Sequence, residues 1–246
     1  MIDLKKISGL PLIYTDKLIS KKIKVPKPKI RKLKDIKNIL YKPITDKANL
    51  YYMYRNITNQ KRLFKKHNLR YDITIMPPRI IGKEYVKTKG HFHPKIPNSN
   101  LTYPEIYEIL NGKACLLLQK KENEKITEVK VIKVKKGDRI IIPPNFGHIT
   151  INASNKTLIM ANIVSSKFKS EYKDIMKKKG GAYFGLASKK GIKFVKNKNY
   201  KNLPKLKKQK IESYNKINIP LHECFVKSPK KFAFLNNGKG VKYDNN

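Results

Sequence analysis

Between residues 48 and 164 short apolar stretches recur, separated at near-regular spacing by Gly, Pro and Asn. Leu50 to Tyr54 and Tyr71 to Met76 read as strands, as do Cys115 to Gln119 and Ile126 to Val134. Arg139 to Ile142, His148 to Ile151 and Thr157 to Val164 complete the set. They are short, rich in β-branched and aromatic residues, and bounded by turn formers. Many such strands in succession predict a β-sandwich or barrel. The flanks read differently. Residues 30–41 carry apolar side chains at helical spacing after Pro26 and Pro28, which predicts a short helix. Residues 168–178 suggest another. The expected organisation is a basic, helical or extended N-terminal segment over 1–47, one barrel domain over 48–186, and a Lys- and Asn-rich extension over 187–246. Apolar residues in that extension are scattered (Phe194, Leu206, Leu221, Phe225), which predicts a poorly packed tail, partly disordered or draped on the barrel.

Composition narrows the class without naming a function. Hydrophobic residues make up 39% and aromatics 9% of 246 residues, enough for a core. No run of eighteen apolar residues occurs, so no helical membrane span is expected. The start Met1-Ile2-Asp3 lacks the apolar core of a signal peptide, and Cys115 and Cys224 stand far apart. Both features suit a cytoplasmic protein without structural disulfides. The formal charge of +40 is extreme, with 57 Lys and Arg against 17 acids. Such a surface attracts phosphorylated metabolites, nucleic acid or acidic proteins. Residues 1–47 hold 14 basic and 4 acidic residues, 48–164 hold 21 and 8, and 165–246 hold 22 and 5. Charge spread this evenly reads as a general lysine bias. Non-specific RNA or DNA binding at low salt follows from it.

The chemistry concentrates in few residues. Of five histidines, two stand as His91-Phe92-His93 within Thr88-Lys89-Gly90-His91-Phe92-His93-Pro94. On extended chain, positions two apart share a face, so both imidazoles can reach one metal ion. Glu105 follows in Pro104-Glu105-Ile106-Tyr107, a run closed by Gly112. Gly137-Asp138 then opens a turn, Pro143-Pro144 a corner, and His148 begins another strand with Asn152 four residues on. Three imidazoles and a carboxylate make an N3O donor set. It suits Fe2+, Ni2+, Mn2+, Zn2+ or Cu2+ and does not choose between them. His67 lies in a basic loop and reads as solvated, while His222 beside Glu223 and Cys224 lacks partners for a second metal site.

These motifs resemble the two cupin signatures. Six residues lie between Glu105 and Gly112, five between Gly137 and Pro143, and three between His148 and Asn152. The order and spacing follow the family pattern, with two departures. Eleven residues separate His93 from Glu105, where generic cupins have three or four, and Asn145 stands where many have Gly. The long loop, together with Thr74-x-x-Pro77-Pro78, Gly82 to His93 and Pro104-Glu105-Ile106-Tyr107, is similar to the archaeal-type cupin glucose-6-phosphate isomerases. The resemblance covers roughly residues 30–175.

It implies an all-β cupin fold, a double-stranded β-helix or jelly-roll barrel. It also implies one divalent ion per subunit, Fe2+ first among candidates, held by His91, His93, Glu105 and His148. Interconversion of glucose 6-phosphate and fructose 6-phosphate would be the activity, a step of glycolysis and gluconeogenesis, with a homodimer as the assembly. Glu105 would act as base on an enediol route, although a hydride shift needs none, and Tyr107 would orient a hydroxyl. Tyr52, Thr74, Thr88, Gly90 and Tyr172 would contact the sugar phosphate, with Lys87 or Lys89 adding charge. Val164 replaces an aromatic found in some members, a change expected to weaken substrate affinity. The alternatives are another metal cupin enzyme, such as a dioxygenase or different sugar-phosphate isomerase, and a non-catalytic sugar- or nucleic-acid-binding cupin.

Overall fold

The expected strands pair into sheets that pack across one core. The computed structural model describes residues 1–210 and 219–240. A six-stranded antiparallel sheet runs Arg139–Ile142, Glu105–Asn111, Leu158–Ser165, Leu69–Met76, Asn49–Tyr54, Lys29–Lys32. A four-stranded sheet runs Phe146–Ile151, Lys113–Glu122, Lys125–Lys135, Leu206–Gln209, with only the last pair parallel. Met53, Met76 and Ile109 of the first meet Leu116, Leu118 and Val129 of the second in one buried cluster. This is the all-β cupin barrel. A third sheet, built on the hairpin Tyr183–Ser188 and Gly191–Lys196, adds strands that the sequence pattern did not reveal.

Leu158–Ser165 is buried at all eight positions, and Leu69–Met76 at seven of eight. Strands buried on both faces lose the alternation of a half-exposed strand and read as continuous apolar runs. The barrel core covers one face of the six-stranded sheet. The other carries Leu69, Tyr71, Ile73, Ile75, Ile159, Ala161 and Ile163, and both chain ends cover it. Leu4, Leu10 and Leu12 come from the N-terminal segment; Leu221, Phe225, Phe232 and Leu235 come from the C-terminal one.

This overturns the expected loose packing of the C-terminal extension, at least over 219–240. Helix Leu221–Lys227 buries Leu221, His222 and Phe225. Its entry is fixed by a buried ion pair: Glu108 accepts hydrogen bonds from Arg139 Nε at 2.7 Å and from the Leu221 backbone N–H at 3.0 Å, while Arg139 also donates to the Ile219 carbonyl. Scattered apolar residues suffice here because each fills a place on an apolar sheet face. The parts of the extension at 211–218 and 241–246 lie outside the described residues.

Residues 30–41 do not form the expected helix. Lys29–Lys32 is an edge strand on Asn49–Tyr54, followed by 3₁₀ turns at Leu33–Asp35 and Lys37–Ile39. Leu33, Ile36 and Ile39, three apart, all point inward, matching the three-residue turn better than the α-helix. The helix expected over 168–178 is confined to Lys173–Lys177, because Glu171 exchanges two backbone hydrogen bonds with Phe92. No helix among the described residues is long and apolar enough to cross a membrane. Cys115 and Cys224 are both unpaired thiols.

Candidate metal centre

His91, His93, Glu105 and His148 converge although three separate segments supply them. His91 lies beside His148 in an antiparallel bridge, each N–H donating to the other's carbonyl. Glu105 begins its strand, and His148 sits in Phe146–Ile151. Gly90 makes the approach of the first histidine feasible. Its φ is +73°, and a Cβ there would lie 2.5 Å from Ile149 Cγ1. Asn145 adopts φ +67°, so Asn replaces Gly at that motif position by tolerating the left-handed region. Its side-chain oxygen also accepts the Thr102 N–H at 3.0 Å, pinning the long loop that separates His93 from Glu105.

One ligand atom from each of the four residues lies within 4.8 Å of every other. His91 Nε2 and His93 Nε2 are 3.1 Å apart; Glu105 Oε2 is 3.4 Å from His93 Nε2 and 3.3 Å from His148 Nε2. Donors at about 2.1 Å from one ion and at right angles would sit about 3 Å apart. Tautomers support the same reading. His93 Nδ1 faces the Tyr103 carbonyl at 2.7 Å and must donate to it, which leaves the Nε2 lone pair aimed inward. Glu105 Oε2 is buried with no hydrogen-bond partner among the described residues. An orphaned carboxylate oxygen facing imidazole lone pairs lacks a cation, and a divalent ion fits that lack.

The electrostatics keep the donors in ligating form. Burial pushes the imidazole of His93 down to about 4, and burial with its histidine neighbours holds His91 well below its ordinary value. Burial alone would raise the Glu105 carboxyl, but His148 and His93 outweigh it and hold it below its ordinary value. His91 and His93 are therefore neutral imidazoles facing a carboxylate. Burial and the Glu105 charge keep Tyr107 a phenol, with its hydroxyl 3.3 Å from His148 Nε2.

A single pocket contains these residues. Thr74, Thr88, Gly90 and Tyr172 also line it. Lys89 does too, its ammonium 4.9 Å from the Tyr172 ring centre. Lys87 does not: its ammonium is buried against Glu84 at 2.6 Å and the Ile39 carbonyl at 2.9 Å. Tyr52 is a second correction. Its neighbour Tyr51 lines the pocket and accepts the Lys89 N–H at 3.0 Å, whereas Tyr52 packs on the opposite sheet face with Tyr54. A phase error of one residue on a strand exchanges the two faces. Val164 lines the pocket as well. Residues that the motifs gave no reason to select are Arg55, Arg70 and Asn162, all on the lining, and the buried Asp72 that binds both arginines. For Arg70 and Asp72 the available signal was the inward phase that they share with Thr74 at two-residue steps along Leu69–Met76. His222 is buried against Thr58 at 2.7 Å and joins no metal cluster among the described residues, and His67, expected to be solvated, packs its ring edge-on against Phe225.

The sequence also matches known proteins. The family model described as glucose-6-phosphate isomerase matches residues 30–203. The glucose-6-phosphate isomerase of Thermococcus litoralis is 32% identical over 114 residues, covering 46% of this chain and 55% of the relative. That of Pyrococcus horikoshii is 30% identical over 138 residues, covering 56% and 68%. A putative glucose-6-phosphate isomerase 1 of Rhizobium meliloti is 30% identical over 114 residues, covering 46% and 49%. The chain thus spans little more than half the length of the Thermococcus litoralis protein. Oxalate decarboxylase from Bacillus subtilis superposes with a TM-score of 0.36 at 16% identity, over 49% of this chain and 27% of that one, too loosely to argue from. With the family model spanning most of the barrel and the motif residues gathered at one centre, this chain belongs to the glucose-6-phosphate isomerase family.

Proposed function

We propose that this chain is a metal-dependent aldose–ketose isomerase that interconverts glucose 6-phosphate and fructose 6-phosphate. One observation carries the reading: a buried cluster of three imidazoles and a carboxylate shares a pocket with hydroxyl, backbone and ammonium groups suited to a phosphate. A divalent ion held by His91, His93, Glu105 and His148 would supply Lewis acidity to the neighbouring O1 and O2 of the open-chain sugar. Fe2+ is the first choice, and Ni2+, Mn2+ and Zn2+ fit the same donors.

The chain's own groups do the rest. Thr74 and Thr88 offer hydroxyl donors, Gly90 a backbone N–H and Lys89 a positive charge to the phosphate. Thr88 is itself fixed, because its hydroxyl oxygen accepts the Thr150 N–H at 2.9 Å. Binding energy spent there positions the reacting carbons. Glu105 would carry a proton between C1 and C2, and the Tyr107 hydroxyl would orient a sugar hydroxyl. Val164 leaves the end of its strand without an aromatic wall, which favours a weak KM. A cytoplasmic homodimer is the expected state, testable by sedimentation of the purified chain. The activity is tested by supplying fructose 6-phosphate to protein loaded with Fe, Ni, Mn or Zn in turn. Glucose 6-phosphate should appear; no conversion with any of the four ions overturns the proposal.

A further inference from the structure

The pocket contains a charged cluster that neither metal binding nor phosphate binding uses. Asp72 is fully buried and accepts from Arg55 Nη1 at 2.5 Å, Arg70 Nε at 2.8 Å and the Asn56 backbone N–H at 2.8 Å. Two guanidiniums share one carboxylate, so the cluster keeps a net positive charge. An ion pair needed only for stability would be complete with one arginine. Arg55 Nε and Arg70 Nη2 have no hydrogen-bond partner among the described residues, and both side chains line the cavity.

Register says which part of a substrate they would meet. Arg70 pairs with Val164, and Val164 pairs with Glu105, so the three lie in one row across adjacent strands with their side chains on the same face. Asp72, Asn162 and Tyr107 form the next row. Thr74 stands four residues from Arg70 on the same strand, roughly 13 Å along it at about 3.4 Å per residue. Arg70 is therefore level with Glu105 and two rows from Thr74, while Arg55 follows Tyr54, which pairs with Ile73, and meets Asp72 in the row between. If the phosphate sits at Thr74 and Thr88, the arginines face the C1–C2 end of the sugar.

We propose that Arg55 and Arg70, positioned by Asp72, form an anion-stabilising wall for the negative charge that develops on the C1–C2 oxygens during isomerisation. The proposal rests on the isomerase reading above. When hydrogen leaves C2 as a proton, its bonding electrons form the C1–C2 double bond, and the carbonyl electron pair moves onto O1. The O2 proton then passes to O1, the charge moves to O2, and protonation at C1 draws the double-bond pair to C1 while O2 becomes the carbonyl. When hydrogen moves instead as hydride from C2 to C1, the O1 carbonyl pair becomes an alkoxide that takes up the proton O2 loses as C2–O2 becomes the carbonyl. In both routes a guanidinium N–H pointing at the charged oxygen is worth more as charge builds than in the ground state. Asp72 is a positioning residue, since among the described residues its carboxylate accepts hydrogen bonds only from the two arginines and the Asn56 N–H.

The test compares two ligands on the metal-loaded full chain by calorimetry. One is the aldonate 6-phosphate, with a carboxylate at C1; the other is the alditol 6-phosphate, neutral there. Arg55→Met should weaken the aldonate at least about tenfold and leave the alditol within about twofold, because only the first places charge beside the guanidinium. In the isomerase assay the same variant should lose on the order of 100-fold in kcat with little change in KM. Arg55→Lys should recover part of the aldonate affinity. Arg55 is 44% exposed, and its removal leaves Asp72 paired with Arg70 and the Asn56 N–H, so the fold should hold. Should Arg55→Met unfold, Arg70→Met alone takes one positive charge from the wall and leaves Asp72 paired with Arg55 and the Asn56 N–H, and it should show the same selective loss of the aldonate. Equal losses for both ligands, or an unchanged aldonate affinity, overturn the inference. If neither ligand binds the wild-type protein, the sugar-phosphate reading itself fails, and the inference falls with it.

Discussion

Replacing Phe225 by Ala tests whether the C-terminal helix is part of the fold or merely rests on it. The Phe225 side chain is fully buried, its ring centre 4.1 Å from that of Phe64 and 5.4 Å from that of Phe232. Removing it forfeits about 2–3 kcal/mol of apolar burial. Its aromatic contacts add about 0.5–1.5 kcal/mol each. The gap cannot close easily, because Phe64 belongs to helix Lys61–Lys66 and Tyr71 to the central strand of the six-stranded sheet. The expected loss is about 3–5 kcal/mol, typical of a buried Phe truncated to Ala. Against a total of about 5–15 kcal/mol for a folded domain, that is a large share. Urea titrations followed by circular dichroism at neutral pH would read it as a midpoint lowered by about 1 M or more, given m-values of about 1–3 kcal/mol/M. Metal binding by the folded variant should persist, since the pocket opens on the other face of the sheet. A loss below about 1 kcal/mol would mean that 219–240 is draped on the barrel, and the two-sided burial of the sheet would have to be abandoned.

Other outcomes follow from single residues. Burial lowers the imidazole of His222 to about 4 from an ordinary 6.5, so it is neutral in the fold and charges first in the unfolded chain. Its contribution is present in full above pH 6.5 and is lost progressively as pH falls toward 4, by about 3 kcal/mol in total. Denaturation curves of wild type and His222→Gln should converge across that window, and parallel curves would exclude the effect. Gly90→Ala should cost about 1–3 kcal/mol, because a Cβ would strike Ile149 and the backbone is left-handed there; unchanged thermal stability would contradict the packing. Tyr51→Phe should weaken sugar-phosphate binding severalfold by leaving the Lys89 N–H without its acceptor, while Tyr52→Phe should not. A calorimetric titration that ranks the two variants the other way would place the wrong tyrosine in the pocket.

Much of the fold was legible because its signals are local. Most strands from 49 to 165 carry their own apolar runs and turn residues, and the metal donors were legible through their resemblance to the cupin motifs, with only the two-residue spacing of His91 and His93 following from strand geometry. What escaped was set by contacts distant in sequence. The helical spacing of 30–41 was a sound pattern, but pairing of Lys29–Lys32 with Asn49–Tyr54 satisfied the backbone differently and left only 3₁₀ turns. Leu221 and Phe225 looked stray until the outer sheet face supplied their partners. Tyr51 and Tyr52 are both strand aromatics, and only the register against Thr74 and Ile75 decides which faces inward. Lys87 and Lys89 share a face by spacing, yet Glu84 draws the first into a buried pair. Arg55, Arg70 and Asp72 belong to no motif and emerge as a unit only when two strands lie side by side.

The most direct test of the account is metal analysis of the purified chain after chelation and reloading, beside His148→Ala. Wild type should retain close to one divalent ion per chain, and His148→Ala, folded by circular dichroism, should lose it together with conversion of fructose 6-phosphate. A wild-type chain that retains no ion, or an alanine variant that holds the ion as tightly, would contradict the assignment of His91, His93, Glu105 and His148 as one metal centre.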